Sequence, residues 1–363
     1  MKYQPRALIA EVTHRCPLHC VYCSNPLEMQ QRSNELSTED WISVFRQAGE
    51  MGLLQLHLTG GEPLARTDLT ELVYAGRSSG LYVNLITSGV GLDAARLDAL
   101  IDAGLDHCQL SFQDTEEGPA NEFAGTRSYA LKLRIAEMIR SRRIGFTVNI
   151  VVHRRNLARL EEMITFAERS GAQRLEIANV QYYGWAFRNR EALLPTREQV
   201  GRSIETVEAA RERLKGRLRI DFVLPDYYAK YPKPCMNGWG RQQMVIDPSG
   251  RVLPCHAASV IPGLELFQVP AHALQWIWED SPTFNRFRDE AWMPEPCRTC
   301  ERRSRDFGGC RCQALLLTGD AAAVDPVCTL APTHTVVEET LVRVNTNGEA
   351  SAGPSWIYRI DPR

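Results

Sequence analysis

Residues 7–23, ALIAEVTHRCPLHCVYC, run from a short apolar stretch into three cysteines, Cys16, Cys20 and Cys23, spaced C-x3-C-x2-C. Three thiolates on one short loop can grip a metal centre, yet they are one short of a closed four-coordinate shell. Structural zinc closes that shell with four ligands, and only His14 and His19 stand near enough in sequence to complete it. A cubane iron–sulfur cluster takes one ligand per iron, so three cysteines leave one iron open. Taken alone, the loop admits both readings.

The totals narrow the choice. A chain of 363 residues, 44% apolar, suffices for one large domain and a smaller one. Forty-two Lys and Arg balance forty-four Asp and Glu, which gives no support for a general nucleic-acid or anionic-membrane role. Basic runs such as RSRR (140–143) and HRR (153–155) alternate with acidic segments and read as solvated faces. No apolar run approaches the ~20 residues of a membrane helix, and MKYQPRALIAEV lacks the features of a signal peptide. The expected location is therefore cytoplasmic. In that reducing compartment eleven cysteines, an odd number, point to metal binding rather than a disulfide framework.

Six apolar, β-branched runs recur: ALIAEV (7–12), LLQLHLTG (53–60), LYVNLITSG (81–89), HCQLSF (107–112), GFTVNIVV (145–152) and RLEIANV (174–180). Helical periods lie between them. In STEDWISVFRQAGEMG (37–52), Trp41, Val44, Phe45, Ala48 and Met51 share one face, and Ser37 with Asp40 signals an N-terminal cap. Segments 93–104 and 156–171 behave alike and close on Gly. The alternation predicts an α/β fold with a parallel sheet, either open or an incomplete barrel. Loops at the C-terminal ends of its strands hold the chemistry, and the cysteine loop follows the first strand. After a helix expected over 196–217, Pro, Gly and Cys dominate from about 231, placing a domain boundary near 225. NTNGEASAGPSW (345–356) reads as a loosely held tail.

With Tyr22 as the aromatic, C-x3-C-x-aromatic-C resembles the hallmark of the radical S-adenosylmethionine (SAM) superfamily. TGGEP (59–63), a plain turn by itself, follows the second strand where that family carries its GGEP loop. The resemblance implies a partial (β/α)6 barrel and a [4Fe-4S] cluster whose open iron binds SAM. It also implies cofactor contacts at Tyr22, Gly60, Gly61, Glu62, Ser111 and Asn149.

The C-terminal cysteines resemble the SPASM domain of peptide-modifying radical SAM enzymes, which carries two auxiliary clusters. Where its motif has a Cys, with five residues intervening after Cys300, this chain has Asp306, and Cys312 is an addition. Asp306 is either an ordinary exposed acid among arginines or a ligand. This departure, with CSNPLE (23–28), VQYYGWAFRNREALLPTR (180–197), CMNGWGRQQMVIDPSGRVLPCHA (235–257) and WMPEPCRTC (292–300), resembles the protein E (PqqE) family of pyrroloquinoline quinone biosynthesis. By that resemblance Cys235, Cys255, Cys310 and Cys312 hold one auxiliary cluster, [2Fe-2S] or [4Fe-4S]. Cys297, Cys300, Asp306 and Cys328 hold the other, [4Fe-4S]. Cys108 is left over as a small buried residue.

The domains implied are a radical SAM barrel with its following helix over 1–225, a SPASM domain over 226–335 and a tail over 336–363. The implied reaction joins a Glu γ-carbon to a Tyr ring carbon in the precursor peptide PqqA. The chaperone PqqD would present the peptide and an electron donor such as flavodoxin would supply reductant. Loss of one hydrogen from each carbon is a two-electron oxidation, which gives the auxiliary clusters a use as electron acceptors. Tyr182, Tyr183 and Trp185 either line the peptide site or pack the core. No residue stands out as the catalytic base. Other SPASM peptide modifiers, forming thioether or formylglycine products, and a non-catalytic metal-binding protein are the alternatives; Asp306 and the extra C-x-C speak against the former.

Overall fold

The strand-and-helix alternation builds one parallel sheet. In a computed structural model, which describes residues 3–346 and 356–362, the first six strands are β1 (Ala7–Thr13), β2 (Gln55–Gly60), β3 (Tyr82–Thr87), β4 (His107–Phe112), β5 (Gly145–Val152) and β6 (Arg174–Asn179). They pair in sequence order, every pair parallel. Parallel neighbours cannot be joined by a tight hairpin, so each link is a crossover carrying a helix. The first is α1 (Thr38–Glu50), opened by a capping box in which Ser37 and Asp40 bond each other's backbone N–H. Its face of Trp41, Val44, Phe45 and Ala48 is buried in the main core. Burying an aromatic of this size contributes roughly 1.5–3 kcal/mol. Cys108, on β4, is fully enclosed in the same core.

Three further strands extend the sheet beyond the expected six. β7 (Arg219–Val223) pairs with β6, β8 (Gln243–Ile246) runs parallel on the free edge of β1, and β9 (Val252–Leu253) returns antiparallel on β8. β8 and β9 lie in the Pro- and Gly-rich part of the chain, where local periodicity does not announce strands. Their stability comes from an edge more than 200 residues earlier in sequence.

Past β9 the backbone relies on side chains rather than ladders. Arg311, buried against the Trp292 ring, donates to the carbonyls of Gly308, Ala321 and Ala323. Its five fixed donors suit that use. Of the expected loose tail, residues 347–355 lie outside the described residues. Before them Thr335–Thr346 is a helix that buries Val337 and Val344 against Tyr227 and Leu194. After them residues 356–362 return to the cysteine loop.

His153, just past β5, is fully buried with its ring edge-on to Phe123. Burial, then the charges of Arg155 and Arg159, push its pKa from 6.5 down to about 3. Between those values an unfolded chain binds a proton that the folded chain refuses. Stability is therefore lost as pH falls from about 6.5 towards 3, by on the order of 4 kcal/mol across the window. His153→Leu should flatten this acid limb in denaturant titrations at stepped pH; an unaltered slope would place the dependence elsewhere.

Candidate active site

The cysteine loop leaves the C-terminal end of β1 and is fastened to the loop after β2 backbone to backbone. Gly61 N–H donates to Thr13 O at 2.6 Å and Glu62 N–H to Arg15 O at 2.7 Å. A Cβ on Gly61 would overlap the carbonyl oxygens of Arg15 and His14, and one on Gly60, at φ +130°, would overlap that of Thr13. Only glycine permits this approach. The double glycine thus serves the cysteine loop itself, in addition to whatever binds beyond it.

Cys16, Cys20, Cys23, Tyr22, Gly60, Gly61, Ser111 and Asn149 line one cavity of about 280 Å³. Ser111 and Asn149 are direct register partners on β4 and β5. Glu62 does not line it. Its buried carboxylate accepts from Thr87 Oγ1 at 2.6 Å, Ser88 N–H at 2.7 Å, Leu64 N–H at 3.1 Å and the Ser88 hydroxyl. Glu62 therefore holds the turn at the end of β3.

Two cations that the sequence did not single out stand by the thiols. Lys132 is buried beneath the cavity, donating to Ser111 O at 2.9 Å and Gln113 Oε1 at 2.7 Å. Burial lowers its pKa to about 8, against the pull of Cys20, Glu62 and Cys16. Arg359 lines the cavity from the far end of the chain. Burial raises all three thiols, Cys20 to about 12 with Lys132 opposing, so a metal that binds there must displace protons.

The C-terminal cysteines gather in two sets. Cys255 Sγ lies 3.7 Å from Cys312 Sγ, and Cys235 stands beside Cys255 and Cys310. The Tyr183 hydroxyl reaches Cys310 Sγ at 3.0 Å, whereas Tyr182 and Trp185 pack into cores. Cys297, Cys300, Asp306 and Cys328 line a second, smaller cavity. Asp306 is only 8% exposed, so it is no ordinary surface acid. Its carboxylate accepts from Gly308 N–H at 3.2 Å and Arg302 Nε at 3.3 Å.

Buried acids tie the sites together. Asp325 accepts the N–H of Cys310 at 2.8 Å through its carboxylate, and that of Cys328 at 2.9 Å through its carbonyl. Burial, then Cys310, raises its pKa to about 6. Glu11, on β1, receives His256 Nδ1 at 2.6 Å and His14 Nε2 at 3.2 Å. Burial alone would raise that carboxyl, but the two imidazoles hold it down at about 2. It links the residue after Cys255 to the approach to Cys16. No local motif marks Glu11 or Asp325, because their partners are set by the fold.

Iron–sulfur clusters fit these three sets by donor chemistry. All eleven cysteines are free thiols, soft donors suited to iron–sulfur clusters. Among the described residues no three such donors are already drawn to single-ion distance, so donor type and placement make the case. The first set has three thiols facing a cavity; each of the other two has four donors.

The description "Radical SAM superfamily" matches residues 10–167, and "Iron-sulfur cluster-binding domain" (SPASM) matches 235–301. The chain is 52% identical to the PqqA peptide cyclase of Methylobacterium nodulans, over 98% of this chain and 93% of that protein. It is 56% identical to that of Gluconobacter oxydans, over 92% and 93%. Among solved structures, Streptococcus suis SuiB bound to S-adenosylmethionine superposes with a TM-score of 0.75 at 19% identity, covering 90% of this chain and 77% of that one. Native anSMEcpe with bound AdoMet gives 0.62 at 15%, covering 94% and 97%. These two likenesses show a shared fold that spans nearly the whole chain.

Gly61→Ala should force the two loops apart, costing roughly 1–3 kcal/mol of stability and lowering iron uptake by the first cysteine set. Thermal unfolding and iron content check this; parental values for both would refute the backbone clamp.

Proposed function

This chain belongs to the PqqA peptide cyclase family of the radical SAM superfamily, and from that premise we propose that it forms a C–C bond between a Glu γ-carbon and a Tyr ring carbon in a PqqA precursor peptide. The observation that carries the reading is one cavity holding Cys16, Cys20 and Cys23 with Gly60, Gly61, Ser111 and Asn149, in a chain that also gathers two four-donor sets. Cys16, Cys20 and Cys23 would hold a [4Fe-4S] cluster that with SAM would supply hydrogen abstraction, and clusters held by the two C-terminal sets would supply an outlet for the second electron.

The chain's own residues bind, orient and shield. The glycine loop would offer its backbone to the methionine end of SAM, and Ser111 and Asn149 present polar groups side by side from the sheet. Tyr22 sits between two ligand cysteines and closes one wall. Glu62 fixes the turn at Thr87 and Ser88, which also borders the cavity. Lys132 braces the end of β4 beneath Ser111.

We assign Cys235, Cys255, Cys310 and Cys312 to a [2Fe-2S] or [4Fe-4S] cluster, and Cys297, Cys300, Asp306 and Cys328 to a [4Fe-4S] cluster. We further propose a radical SAM unit over 1–225, a SPASM unit over 226–335 and a C-terminal segment over 336–363. PqqD would present the peptide and a flavodoxin-type donor the electrons, in the cytoplasm. Among the described residues no helix is long and apolar enough to cross a membrane.

Anaerobic incubation with PqqA, PqqD, SAM and reductant should yield 5′-deoxyadenosine and a peptide lighter by two hydrogens. A thioether or formylglycine product would replace the C–C assignment, and absence of SAM cleavage would remove the enzyme reading. Replacing Cys16, Cys20 and Cys23 together by Ala should abolish cleavage while iron persists in the C-terminal sets. Asp306→Cys should keep a cluster with an altered electron paramagnetic resonance spectrum and reduced crosslinking; Asp306→Ala should do more damage. Unchanged spectra and crosslinking in both would exclude Asp306 as a ligand.

A further inference from the structure

The last residues of the chain lie along the cysteine loop. Ile357 exchanges two hydrogen bonds with Asn189, Asn189 Nδ2 also holding Val21 O at 2.7 Å. Arg359 N–H donates to His19 O at 3.3 Å, and Arg359 O meets His19 Nδ1 at 2.9 Å. Trp356 Nε1 donates to Glu122 at 2.6 Å, its ring edge-on to Phe123. Asp361 Oδ1 accepts from Cys16 N–H at 3.3 Å and from Arg359 Nη1 at 2.6 Å.

Arg359 is the centre of this contact. It is 2% exposed, and its guanidinium donates to the carbonyls of Leu18 at 3.2 Å, Cys16 at 3.5 Å and His14. Its Nε has no partner among the described residues, and the residue lines the thiol cavity. A loop with almost no regular structure, held elsewhere by backbone bonds to Phe123, Ala124 and the double-glycine loop, thereby gains bonds at three of its carbonyls from one cation more than 300 residues away in sequence.

We propose that residues 356–362 clamp the first cysteine loop in its cluster-binding shape, with Arg359 as the positioning residue and buried counter-charge. The proposal rests on reading Cys16, Cys20 and Cys23 as cluster ligands. A cluster held by three thiolates is anionic and gains a further negative charge on reduction. A buried guanidinium beside it favours the reduced form and raises the potential. Arginine suits both tasks, since it stays charged when buried and spreads its donors over several carbonyls.

The test uses the full chain with its clusters reconstituted. Electron paramagnetic resonance follows the redox titration of the signal that changes on adding SAM, and hydrogen exchange follows amides 16–23. Arg359→Gln should move that potential to more negative values and speed exchange by about tenfold or more, as expected for losing hydrogen bonds from a charged donor. Arg359→Lys should recover much of the potential but not the slow exchange. Asp361→Asn, which removes an anion and leaves Arg359, should also speed exchange yet shift the potential the opposite way. Auxiliary signals serve as the folding control. Parental potential and exchange in Arg359→Gln, or shifts of one sign in both Arg359→Gln and Asp361→Asn, would overturn the proposal. A parental protein with no SAM-responsive signal would instead overturn the ligand reading, while exchange in the same samples still reads the clamp.

Discussion

Strand β1 is hydrogen-bonded along both edges, to β2 on one side and β8 on the other, and this double pairing sets the relation between the two metal-binding halves. Its C-terminal end delivers Cys16, Cys20 and Cys23. β8 leads through β9 directly to Cys255. Because β8 joins the same sheet, the C-terminal cysteines are not a separately tethered module; their approach is fixed by ladder bonds to β1. Glu11 projects from β1 between them and binds a histidine from each side.

Among the charges that the protein buries, six stand near the thiol sets: Glu11, Glu62, Lys132, Asp306, Asp325 and Arg359. Buried ions of this kind are weak evidence for stability, since apolar packing of the same volume often serves as well. Their common feature is location. Each lies beside a thiol set or fixes a loop that borders one, and each is held by several directed bonds. Such bonds set position more tightly than apolar contacts do, and a cluster whose reactive atom must be aimed needs that order of precision. The charges are better understood as alignment than as glue.

What was legible in the sequence follows the same division. The six parallel strands were readable because each is an apolar run bounded by turn residues, and β4 and β5 match their expected limits residue for residue. Cys16, Cys20, Cys23 and the double glycine were readable because their spacing is local. Asp306 was readable only as a departure from a cysteine motif; its burial beside Cys297, Cys300 and Cys328 is what distinguishes it from the surface acid its arginine-rich neighbours suggested. Strands β7 to β9, Lys132, Glu11, Asp325 and Arg359 had no such signal. Each depends on a partner brought near by topology, and a lone charged residue in a sequence does not reveal which side of the surface it occupies.

The contacts also order the three thiol sets. The first connects through His14, Glu11 and His256 to Cys255 in the second. The second connects through Cys310 and Asp325 to Cys328 in the third. The links run in series, with the all-thiol set in the middle and the carboxylate-bearing set at the end. Tyr183, which follows β6, joins the middle set through Cys310, so the sheet reaches the second set from the end of β6 as well as through β8. The middle set therefore has hydrogen-bonded links to both of the others. Asp306, in the set at the end of this series, therefore stands one set removed from the cavity that Cys16, Cys20 and Cys23 line, so a carboxylate in place of a thiol there has no direct bond to the first cysteine loop among the described residues.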